Sequence, residues 1–61
     1  MTAIDLSDPM VVTHEKRLGS LLVEHTGGGL RRWYVVDPDG KTWGPHLKRT
    51  ARRMLRRGWR A

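Results

Sequence analysis

The sequence predicts an α+β fold: a small antiparallel three-stranded sheet followed by one C-terminal amphipathic helix packed on it. Three observations lead there. β-branched and aromatic residues are concentrated between Met10 and Asp37, in runs separated by glycine. From Leu47 to Arg57 apolar residues recur at helical spacing against a background of arginine and lysine. With 61 residues and no cysteine, the chain makes one domain that no disulfide or cysteine-held zinc can staple, so Leu, Val, Met, Trp and Tyr must supply the core.

Taken in order, residues 1–9 read as a flexible leader, because Pro9 pushes Asp8 into extended geometry. The β-β-β-α domain is expected over 10–61. "MVVTHEK" is the first strand, and Gly19 in "RLGS" supplies a turn into "SLLVEHT", the second. Gly27 to Gly29 break the chain before "LRRWYVVD", the densest β-forming run and the third strand. Alternation puts Leu30, Arg32, Tyr34 and Val36 on one face, and Arg31, Trp33, Val35 and Asp37 on the other. Neither face is purely polar, so the core face stays open, and an aromatic is expected on the exposed side of the sheet. "PDG", residues 38–40, is a tight turn, and "KTW" a short returning strand end.

The helix follows at once. Gly44 is expected as its N-cap and Pro45 at its first position, where a missing N–H costs nothing. Gly58 stands where a left-handed residue would end it, with Trp59 folding back over the last turn. At about 100° per residue, Leu47, Ala51, Met54 and Leu55 form one stripe. Lys48, Arg49, Arg52, Arg53, Arg56 and Arg57 fill the opposite arc of roughly 180°.

Charge carries the functional reading. The net charge is +6, yet residues 1–40 hold four basic residues and six acids, whereas residues 41–61 hold eight basic residues and no acid. Cations three and four apart on one helix face repel by a few tenths of a kcal/mol per pair. A helix selected for stability alone would interleave acids. The uniform sign points to a polyanionic partner, DNA first, with RNA or an acidic protein surface as further readings. The plainer alternative is a solvated face in an arginine-rich protein. Arginine dominates lysine, and its planar fork grips phosphate and can reach guanine edges.

"RWYVVDPDGKTWGPHLKRTARRML", residues 32–55, resembles the end of the small arm-binding, AP2-like domain of tyrosine-recombinase integrases. There an aromatic-rich third strand runs through a D-P-x-G-K type turn into a basic helix packed on a three-stranded sheet. The resemblance implies a free-standing DNA-binding module whose sheet enters the major groove. It also implies Arg31, Arg32, Trp33 and Lys41 as groove-facing or phosphate-contacting residues. The residues themselves leave open whether Trp33 and Tyr34 stack on bases or belong to the core.

Other chemistries find little footing. His14, His25 and His46 match no zinc spacing, and exposed strand or cap positions are expected for them. Glu15, Glu24, Asp37 and Asp39 are scattered, and no nucleophile, base and orienting group come together. "TGGGL" lacks the lysine and the following helix of a phosphate-binding loop. No enzymatic activity, cofactor or metal is expected. No apolar run is long enough to span a bilayer, "MTAIDLSDPM" lacks the features of a signal peptide, and a cytoplasmic location is the default. The expected function is therefore nucleic-acid binding, as a regulator of transcription or an accessory factor of phage or plasmid type. The alternative is an interaction module, such as a small inhibitor, docking the same helix on an acidic protein surface.

Overall fold

A computed structural model of the chain describes residues 4–57. β1 (Val11–Arg17), β2 (Ser20–Gly27), β3 (Leu30–Val36) and β4 (Thr42–His46) form one antiparallel sheet in the order β1-β2-β3-β4, followed by α1 (Lys48–Arg57). The fold is α+β as expected, with a fourth strand where the sequence indicated only a short strand end. Gly58 and Trp59, expected to end and cover the helix, lie outside the described residues.

Each connection is built by its turn residues. Leu18 and Gly19 join β1 to β2 with φ of 51° and 85°, and Gly28 and Gly29 join β2 to β3 with φ of 58° and 77°. Positive φ at both central residues gives a two-residue turn the same twist as the strands it joins. Between β3 and β4, Asp37 organises the turn. Its Oδ1 accepts the amides of Asp39 and Lys41, each at 2.9 Å, and its Oδ2 accepts the Trp43 indole N–H at 3.1 Å. This carboxylate is buried, so its bonds offset the cost of removing it from water.

The fourth strand corrects the expected start of the helix. Trp43 pairs with Val35 and His46 with Trp33, and the register slips between the two pairs. Gly44 sits in that slip at φ 137°, where an added Cβ would lie 2.9 Å from the Trp33 carbonyl oxygen and 2.9 Å from Tyr34 Cδ1. Its role is close backbone approach, not helix capping. Pro45 lies on an edge strand, where a proline can be accommodated in a sheet. The helix begins only at Lys48, and the Leu47 carbonyl accepts its first bond, from the Ala51 amide at 2.9 Å. Leu47 is 68% exposed. It therefore does not belong to the buried stripe, which Ala51 and Leu55 form with Met54 packed beside them.

The structure resolves which face of β3 meets the helix. Trp33 and Val35 pack with Leu22 of β2 against Ala51 and Leu55, with Trp43 joining at the edge. The opposite face is covered as well. Val23 and Val36 are buried there, and residues 4–8 turn across it, Ile4 donating its amide to Thr42 Oγ1 at 3.1 Å. Two covered faces account for apolar residues at both phases of β3. Tyr34, the aromatic on the side away from the helix, is half-buried, and with Ile4, Asp5, Asp8, Val11, His25 and Thr42 it lines a cavity of about 240 Å³. The segment expected as a leader thus carries hydrogen bonds. Ser7 donates its amide to Asp5 Oδ1, Met10 donates to Asp8 Oδ1, Asp8 donates to the Asp5 carbonyl and Val11 donates to the Asp8 carbonyl.

Candidate nucleic-acid interface

The outward face of α1 is arginine. Ala51 and Leu55 define the buried direction. At about 100° per residue, Arg52, Arg56, Arg49, Arg53 and Arg57 then occupy a continuous outward arc of about 140°. The five line one open hollow of about 490 Å³. Lys48 leaves this group. It lies at the sheet side of the first turn with Nζ 5.2 Å from the centre of the Trp33 ring. That cation–π contact offsets the unfavourable helix dipole felt by a cation at an N-terminus that has no acidic residue in its first turn.

One of the five arginines has an internal partner. Arg56 grips Glu15 of β1 through two parallel bonds, Nε to Oε2 and Nη2 to Oε1, both 3.1 Å. The hydrogen bond from the paired guanidinium holds the Glu15 carboxyl below its ordinary value of 4.5, against the opposing effect of burial and with lesser pulls from Arg52 and Arg17. The carboxylate in turn raises Arg56. Both side chains are partly open to solvent, so salt screens the pair. Among the described residues, no carboxylate lies within 4 Å of a guanidinium nitrogen of Arg49, Arg52, Arg53 or Arg57. Arg52 is half-buried, and its Nε is shut off from water without a hydrogen-bond partner, a desolvation cost that no bond within the described residues offsets.

The strand residues implied by the resemblance are not brought together. Trp33 is 7% exposed beneath the helix, so the core reading holds for it and no ring face is left for a base. The His14 ring lies 4.7 Å from it, tilted by 46°, and hydrogen-bonds Glu24 at 2.8 Å. Arg31 lies on the helix side with its side chain 77% exposed, 3.5 Å from Glu24. Arg32 projects from the opposite face, its Nη1 3.5 Å from the Gly27 carbonyl. Lys41 covers the Trp43 ring at 4.5 Å, far along the sheet from Arg31, since Val35 and Val36 pair with the start of β4 and Thr26 and Gly27 with the start of β3. His14 and His46 are exposed and His25 is half-buried, all on strands. Among the described residues no group of three or more His, Asp or Glu side chains is placed to hold a metal ion.

Glu15 and Arg17 were not singled out by the sequence as part of this surface. Glu15 and Arg56 are 41 positions apart, and nothing in local spacing announces such a pair. No family model, curated protein or solved structure matches the chain.

Proposed function

We propose that the protein is a non-enzymatic nucleic-acid-binding module that engages duplex DNA through the arginine face of α1. One observation carries the reading. Arg49, Arg52, Arg53 and Arg57 share one helix face and have no carboxylate partner within 4 Å among the described residues. Glu15 pairs with Arg56 and acts on Arg52 at longer range, and the folded chain bears the remaining cost of crowding these cations. A polyanion relieves it, and each phosphate contact releases counterions. The major groove, about 12 Å wide, admits a helix. Burial of Trp33 and Trp43 against the helix leaves little aromatic platform on that face of the sheet, which favours duplex over single strands. In this reading the protein acts in the cytoplasm as a regulator or accessory factor. Among the described residues no helix is long and apolar enough to cross a membrane.

The test is a titration of labelled duplex DNA, hairpin RNA and heparin at two salt concentrations, with Arg49→Glu/Arg53→Glu beside the parent. Tight, steeply salt-dependent duplex binding that the double variant loses is expected. Binding no stronger than that of an unstructured peptide of equal charge overturns the proposal. So does selective capture of one acidic protein with no affinity for duplex, which would establish the interaction-module reading instead.

A further inference from the structure

Leu18 is the most exposed large apolar residue of the described chain, at 90%, and it occupies a conformation that leucine disfavours. Its φ of 51° makes it the one non-glycine residue with positive φ among those described. Asparagine or glycine would hold the same two-residue turn without strain, and a lone exposed leucine elsewhere would call for no explanation. Behind the tip, a Cβ on Gly19 would lie 3.3 Å from Pro38 Cγ, so the β3–β4 turn backs the hairpin and leaves Leu18 at the apex. Lys16 and Arg17 beside it are exposed. The tip is also continuous with the arginine face. Arg56 bonds Glu15, three residues before Leu18, and Arg52 and Arg17 act on the same carboxylate.

We infer that the β1–β2 hairpin tip is a second contact point on duplex DNA, with Leu18 entering the minor groove as an apolar wedge that partly unstacks a base step while Lys16 and Arg17 hold the flanking phosphates. This inference rests on the proposed binding by α1. An apolar side chain flanked by cations has the chemistry a bent duplex offers, since unstacking exposes apolar base faces between two charged backbones. The Leu18 side chain, 90% exposed, contributes nothing to the core and is free to serve a partner.

The test measures binding and unstacking separately, using a short duplex carrying 2-aminopurine at its centre and a donor and acceptor dye at its ends. The parent protein is expected to raise 2-aminopurine fluorescence several-fold and to shorten the end-to-end distance. With the duplex saturated by each protein, Leu18→Asn is expected to abolish both signals and Leu18→Met to retain them. Because asparagine suits the turn better, a lost signal cannot be assigned to unfolding. Parent protein that binds without either signal, or Leu18→Asn that behaves like the parent, overturns the wedge and leaves helix binding standing. Parent protein that binds no duplex overturns both.

Discussion

Leu18, Glu15 and Asp37 show how single side chains set local energetics in this molecule. A leucine in the left-handed region costs roughly 1 kcal/mol that asparagine largely avoids. Leu18→Asn is therefore expected to raise the urea midpoint by an amount worth about 1 kcal/mol, and an unchanged or lower midpoint would contradict the turn geometry. Glu15 makes stability depend on acid. Its carboxyl binds a proton less readily in the folded protein than in the unfolded chain. Its contribution is therefore complete above its ordinary value of 4.5 and lost as pH falls through the lower folded value. Denaturation from pH 6 downward should show a gap between the parent and Glu15→Gln that begins to narrow below about 4.5 and closes only at more acid pH. The same variant should bind duplex DNA a few-fold more tightly, since Glu15 occupies the Arg56 fork that a phosphate would take. Asp37→Ala leaves the Trp43 indole N–H and two turn amides without their acceptor. A loss of about 3 kcal/mol is expected, read by chemical denaturation, with Asp37→Asn recovering part of it.

At the scale of elements, β4 and α1 compete for the same residues. Gly44 and Pro45 match a helix start by composition, yet they finish a strand, because Trp43 and His46 find partners on β3 before the helix can begin. Gly44→Ala is expected to destabilise by more than about 1 kcal/mol, since both the positive φ and the contacts with Trp33 and Tyr34 oppose a Cβ. A thermal melt equal to that of the parent would contradict the close approach of Gly44 to β3. The helix itself is held by few residues. Ala51 and Leu55 are its buried residues, packed in one cluster with Leu22, Trp33 and Val35 of the sheet. Ala51, Met54, Leu55 and the five outward arginines were legible from spacing, because a helix places residues three and four apart on one side, whereas spacing misplaced Leu47 and Lys48, whose surroundings the sheet decides. The helix start was not legible, because Leu47 is a poor capping residue and takes that position only through the pairing of β4 before it.

Across the whole molecule, one small sheet is covered on both sides, by α1 on one and by residues 4–8 on the other. This explains why the alternation in β3 could not separate inside from outside. The charge separation noted in the sequence becomes spatial here, with arginines facing outward from the helix and acids along the sheet and its N-terminal cover. If four helix arginines meet phosphates, the logarithm of duplex affinity should fall with the logarithm of salt with a slope of about −4, or about −5 if Lys16 and Arg17 of the hairpin tip join them. Arg49→Glu/Arg53→Glu should reduce that slope by about 2, whereas an unchanged slope would move the interface away from α1.

The chain's fold class, its helix and the sign of that helix's outward face follow from residue order, because propensity, turn chemistry and charge act between neighbours a few positions apart. Folding in three dimensions settled the burial of Trp33, the helix start at Lys48, the pairing of Glu15 with Arg56 and the placing of Leu18 at a bare apex. Those depend on which surfaces close over one another across tens of residues, and no local pattern encodes that closure.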